Sequence, residues 1–178
     1  MLKPKITGFV SSSNYLSFDG SNENLTTLGG NVKITRDLNL TVGVGNYFTH
    51  TSDKNTNEPT IEAKLKYNIN DNLNVQARFR EIGGVEQYRV AFGGSHKINK
   101  QNSIYTAIHA TAKDTGKWSF NTGAWVGYTH NFKNGISISG EFQQNIPLNK
   151  GSKNVGKTLG CFDDSNKMFN VIVSVPFK

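Results

Sequence analysis

The chain has 178 residues, enough for one domain with a sizeable core or barrel and too few for two comfortable ones. Lys and Arg total 20 against 13 Asp and Glu, a formal net charge of +7, and only 35% of the residues are hydrophobic. Glycine (18) and asparagine (22) outnumber leucine and alanine, which argues against a helical bundle; no apolar run is long enough for a transmembrane helix, and the single cysteine, Cys161, excludes an internal disulfide and a Cys-based zinc cluster.

Met1 to Val10 carries basic residues but no apolar core and no cleavage site of a secretory signal. Either the chain is not exported, or it is the mature form of a protein whose leader has been removed. Residues 5–19 and 27–36 then carry a two-residue period imperfectly. The period becomes clean where Leu38, Leu40, Val42 and Val44 alternate with Asn39, Thr41, Gly43 and Gly45. It continues through Ile61, Ala63, Leu65 and Tyr67, then Leu73, Val75, Ala77 and Phe79, then Tyr88, Val90 and Phe92. Ile104, Thr106 and Ile108 follow, then Phe120, Ala124, Val126 and Tyr128, then Ile136, Ile138 and Phe142, and finally Phe169, Val171, Val173, Val175 and Phe177. This predicts about ten strands. Short turns fall at Arg36–Asp37, Asn70–Asp71, Asn99–Gln101 and Lys133–Gly135, where Asn, Asp and Gly are expected to supply positive φ angles. Longer links are expected at about 20–26, 49–60, 112–117 and 147–166, with a short one near 83–85. The short turns all join strands of one parity, so they should gather at one end of a meander and the longer loops at the other.

The predicted fold is all-β: one domain over residues 1–178, an antiparallel up-and-down meander β-barrel of about ten strands, closed because closure removes exposed edges. Alternation alone leaves two facings, apolar stripes inward as in a soluble barrel or outward as in a membrane one. Aromatic residues end the apolar stripes. Phe48, Phe79, Tyr88, Phe120, Phe142 and Phe169 fall toward the long-loop end, and Tyr67, Tyr128 and Phe177 toward the short-turn end. Eight residues separate Phe120 from Tyr128 and Phe169 from Phe177, a tilted span of roughly 20 Å, close to the apolar band of outer-membrane barrels. The opposite face mixes Gly43, Gly45, Gly123 and Gly127 with long charged residues. In these features, in the stretches Tyr67–Phe79 and Tyr128–Phe142, and in the aromatic-ended last strand, the chain resembles a small bacterial outer-membrane β-barrel. The resemblance is one of architecture and covers nearly the whole chain. It implies lipid as a partner, the bacterial outer membrane as the location of a mature chain, and a narrow lumen. Pro176 and Lys178 depart from the usual aromatic end of that class.

The residues singled out for function are Glu62, Lys64, Lys66, Arg78, Arg80 and Glu141, the first five on one face of two consecutive strands. In a lumen they are expected to pair across strands, because unpaired buried charge is costly, and their cationic excess would make a narrow path prefer anions. Gly151–Thr158 matches the phosphate-loop pattern G-x-x-x-x-G-K-[ST], but Pro147 precedes it and Gly160 interrupts any following helix, so no nucleotide is expected there. His50, His96, His109 and His130 lack metal-ligand spacing and read as surface or strand-end residues; His50 and His109 with Asp163 and Asp164 would otherwise make a rim-active hydrolase. Cys161 has no identifiable partner. The basic residues are dispersed and nucleic acid is not expected to bind. The functional expectation is a non-enzymatic outer-membrane barrel without cofactor or metal, with loops for contact or adhesion and a small anion-preferring pore as a further option. The alternative is a soluble barrel, intracellular or part of a particle, that binds a small apolar ligand or serves as a structural protein in a virion or surface layer.

Overall fold

A computed structural model describes residues 5–18, 22–50, 55–114, 116–148 and 167–177. Ten strands follow one another: β1 (Lys5–Ser17), β2 (Asn22–Lys33), β3 (Leu38–His50), β4 (Asn55–Asn68), β5 (Leu73–Ile82), β6 (Val85–Lys97), β7 (Asn102–Asp114), β8 (Trp118–Asn131), β9 (Ser137–Pro147) and β10 (Lys167–Phe177). Each pairs antiparallel with its sequence neighbours, and β10 pairs with β1, so the meander closes into a barrel. The predicted architecture and strand number are therefore those found.

The register sets the barrel's shape. Followed once round the ten ladders, it returns to β1 roughly 14 residues further along, a stagger that tilts the strands about 45°. A ten-stranded cylinder at that tilt has an interior that side chains can nearly fill. Gly127 shows how close the packing is. A Cβ there would overlap the Tyr105 ring, which lies across the strand pair from it.

Several local expectations are corrected. The strand at 27–36 begins earlier, at Asn22, because Glu23, Leu25 and Thr27 all point inward and are buried. Its outward face there is Asn24 and Thr26, so the usual polarity of the two faces is reversed and the pattern is hard to read. The links expected at 20–26, 49–60 and 112–117 shrink because the flanking strands run on: Asn22 pairs with His50, His50 with Asn55, and Asp114 with Trp118. The turn chemistry also differs. Among the described residues only Gly83, Gly84, Gly116 and Gly135 take positive φ. Gly83 and Gly84 form a two-residue hairpin between β5 and β6. Gly135 supplies positive φ at the predicted Lys133–Gly135 turn, whereas at Arg36–Asp37, Asn70–Asp71 and Asn99–Gln101 a side chain replaces the special backbone. Asn70 Oδ1 accepts from the N–H groups of Asn72 and Leu73, Asn99 Oδ1 from those of Gln101 and Asn102, and Thr35 Oγ1 from those of Asp37 and Leu38. The link expected at 147–166 lies, beyond Leu148, outside the described residues; β9 ends at Pro147 and β10 begins at Lys167.

The close approach of Gly127 to Tyr105 makes a test of the packed interior. Gly127→Val should lower thermal stability by about 1–3 kcal/mol through overpacking, and Tyr105→Ala in the same chain should restore part of the loss. The measurement is thermal unfolding of the refolded barrel in detergent, and no recovery in the double variant would place the ring elsewhere.

Candidate functional site: the barrel lumen

Because side chains alternate along a strand, closure sends one set out and the other in. The outward set is the apolar one. Val42, Leu65, Val75 and Val126 are all exposed, as are Phe48, Tyr67, Tyr88, Phe120, Tyr128, Phe142, Phe169 and Phe177 at the ends of the stripes. At the long-loop rim Phe79, Tyr88, Trp118 and Phe120 form a run of rings with successive centroids 5.3, 6.0 and 6.3 Å apart. The belt is interrupted on β1 and β2, where Ser12 and Asn14 face outward beside Asn24 and Thr26. These groups satisfy one another: Asn24 Nδ2 donates to Ser12 Oγ and Asn14 Oδ1, and Thr26 Oγ1 donates to Asn24 Oδ1. Mutual pairing lowers the cost of holding polar groups in an apolar surround.

The inward set falls into two zones. Toward the long-loop end Tyr15, Leu25, Tyr47, Ile82 and Met168 pack into an apolar cluster. Around and above it Gln87, Lys113, Ser119, Asn121, Asn145 and Asn170 are also buried, and the Tyr47 hydroxyl donates to the Glu23 carboxylate. Tyr47, Ile82, Lys113 and Met168 have at most 1% of their surface exposed, so this end of the lumen is filled. Below it lies a cavity of about 410 Å³. Its walls include Ser11, Ser13, Thr41, Glu62, Lys64, Gln76, Arg78, Arg80, Arg89, Tyr105, Trp125 and Glu141. It reaches down to Asn31, which is exposed near the short-turn end.

Of the six residues singled out from the sequence, five line this cavity and Lys66 does not; Lys66 lies two residues nearer the short-turn mouth on the inward face of β4. The register explains their proximity. Glu62 is opposite Arg80, and Lys64 is opposite Arg78. Arg80 donates from Nε to Glu62 Oε2 at 2.7 Å, and its Nη2 forms an ion pair with the same oxygen. Glu141 Oε2 instead accepts from the Tyr105 hydroxyl at 3.0 Å.

Sequence reading left out Arg89. It lies opposite Arg78 on the next strand, its Nε donates to Thr111 Oγ1 at 2.8 Å, and its guanidinium sits 5.8 Å from the centre of the Trp125 ring. The signal was present. A two-residue hairpin pairs Ile82 with Val85, and counting outward brings Arg78 opposite Arg89. His109 is a correction. It is not at a surface or a strand end but buried inside the barrel, 5.1 Å from the Trp125 ring centre, with Nδ1 3.2 Å from Thr111 Oγ1. It lies mid-strand on β7, and the inward parity of Tyr105, His109 and Thr111 is what carries it into the lumen. His50, at the end of β3, is exposed beside Asn55. Gly151–Thr158, Cys161, Asp163 and Asp164 lie outside the described residues.

By sequence the chain matches no protein family and no curated protein. By structure it is similar to an outer-membrane channel from Pseudomonas putida F1, with 10% identity and a TM-score of 0.53 over 99% of this chain and 97% of that one. A designed transmembrane β-barrel gives 9% identity and a TM-score of 0.49 over 96% and 95% of the two chains. A loop-deletion variant of OmpT, an outer-membrane protein of Vibrio cholerae, gives 6% and 0.44 over 98% and 99%. The fold is thus the closed antiparallel barrel seen in outer-membrane proteins.

The Arg80–Glu62 pair yields a stability prediction. Glu62→Gln leaves a buried guanidinium uncompensated and should cost about 3 kcal/mol, whereas Asp71→Asn, at an exposed turn, should change stability by less than about 0.5 kcal/mol. Thermal unfolding of the two variants side by side checks this; equal effects would mean that Glu62 is solvated by bulk water.

Proposed function

We propose that this chain is a non-enzymatic outer-membrane β-barrel, spanning a bilayer with its lipid-facing belt and enclosing a narrow, charge-filled lumen that favours anions. The observation that carries the reading is the direction of the apolar side chains. Ile61, Val90, Ile108 and Val126, on β4, β6, β7 and β8, are 52%, 58%, 63% and 50% exposed, while the buried apolar cluster consists of five residues. A belt running round the cylinder far exceeds the few hundred Å² of contiguous apolar surface that soluble monomers present to water. In a bilayer the same belt faces hydrocarbon, and the rings at its two margins sit at the headgroups. The likeness of fold to an outer-membrane channel supports the same location.

The interior supports the preference for anions. Glu62, Lys64, Lys66, Arg78, Arg80 and Glu141 comprise four cations and two carboxylates, and Arg89 adds a fifth cation on the same side of the lumen. A confined excess of fixed positive charge lowers the energy of an anion and raises that of a cation. No residue is assigned a catalytic role in this reading, and neither nucleotide nor nucleic acid has one. A protein or surface partner would meet the rim of the barrel. A soluble barrel that holds an apolar ligand would need the Val42, Leu65 and Val126 stripes inside, and they are outside.

The test is one outward substitution. Val126→Arg places a charge in the lipid-facing belt and should weaken folding into phosphatidylcholine vesicles by about 2–4 kcal/mol. Folding is followed by heat-modifiable gel migration in a urea series. A variant that stays in the aqueous fraction, folded as well as the wild type, would establish that the belt faces water.

A further inference from the structure

We infer that the lumen is a blind receptacle rather than a passage, and that Arg78 with its neighbours binds a small oxyanion bearing a phosphate or carboxylate group, entering from the short-turn end. The inference rests on the anion preference proposed above and goes further, naming the site, the chemical class and the direction of entry.

The first observation is the row of cations. Lys64, Arg78 and Arg89 lie directly opposite one another on β4, β5 and β6, and all three line the cavity. None of the three has a carboxylate within ion-pair distance among the described residues; Glu62 is taken by Arg80. Like charges held side by side in a confined, poorly solvated space repel one another. A row of three on one wall therefore calls for a counter-charge.

The second observation is independent of the first. Arg78 Nε and Nη2 are both buried and have no hydrogen-bond partner among the described residues. These two atoms form the edge of the guanidinium that grips two oxygens of a carboxylate or phosphate at once. Arg80 spends the same edge on Glu62. On Arg78 that edge is left over, and the residue forms part of the wall of a cavity large enough for a small organic anion. Ser11, Ser13 and Ser174 on the facing wall offer hydroxyl donors to its remaining oxygens.

The third observation sets the direction. The cavity stops beneath the Tyr15, Leu25, Tyr47, Ile82 and Met168 cluster, whereas its other end reaches the exposed Asn31. An anion that enters from the short-turn end meets the arginines and then a closed apolar wall. Retention, not transit, is the expected outcome.

The experiment uses the full chain refolded in a detergent free of phosphate. Inorganic phosphate and succinate are titrated separately at constant ionic strength, with binding read by calorimetry and by the shift of the thermal midpoint. The expected result is saturable binding of at least one of the two, weakened tenfold or more by Arg78→Gln and by Lys64→Gln. Heat-modifiable migration identifies the variants that have folded, so either one suffices if the other does not fold. Tighter binding of phosphate assigns a phosphorylated ligand, and tighter binding of succinate a carboxylate one. Binding of neither anion, or equal binding by the wild type and both folded variants, overturns the site. In planar bilayers the wild type should carry no steady current, and Tyr47→Ala with Met168→Ala should open one; steady current through the wild type overturns the blind end. Failure of these arms in a chain that still inserts into vesicles leaves the membrane reading standing, while failure to insert counts against that reading alone.

Discussion

Everything in this structure depends on the closure of the backbone hydrogen-bond ladder between β1 and β10. An open meander of this length would leave two rows of unpaired N–H and C=O groups, which neither lipid nor a packed interior can satisfy. Once closed, the cylinder has no edge, and every strand must divide its side chains between two environments. The belt and the lumen are the two halves of that division. Neither is adjustable alone, because a one-residue slip on any strand would exchange Val126 with Trp125 or Phe79 with Arg78.

The lumen is where this division is most costly and most informative. A cylinder of ten tilted strands has too little room for a wide water column and too much for backbone alone. Large side chains fill the long-loop third, with Tyr47 and Glu23 tying the apolar cluster to the wall. Small residues leave the lower part hollow, where Ser11, Ser13 and Ser174 face Arg78 and Arg89. The cations lie on β4, β5 and β6 and the serines mainly on β1 and β10, so charge and space meet across the barrel rather than along it.

The outer surface follows a different rule. Rings cluster at both margins, and the polar interruption on β1 and β2 survives because Ser12, Asn14, Asn24 and Thr26 hydrogen-bond among themselves. The short connections at both ends follow from strand extension: inward Leu25, Tyr47 and Thr49 are buried only if β2 and β3 run on to the rim.

The two-residue period of Leu38–Val44, Ile61–Tyr67 and Phe169–Phe177, broken by Asn, Asp and Gly, by itself determined ten antiparallel strands and a barrel, because local alternation and turn residues leave little other choice for such stripes. It also brought Lys64 together with Arg78, and Glu62 with Arg80, since a single hairpin sets both pairs. Which face was inside could not be read from alternation, which is identical for either answer. The start of β2, where Leu25 points in and Asn24 out, was hidden for the same reason. Only the closed structure decided that His109, Trp125 and Tyr105 share one interior, that Glu141 answers Tyr105 rather than an arginine, and that Tyr15, Tyr47, Ile82 and Met168, from four strands far apart in the chain, meet to close one end. Those contacts depend on the stagger accumulated round the whole cylinder, a quantity that no single hairpin contains.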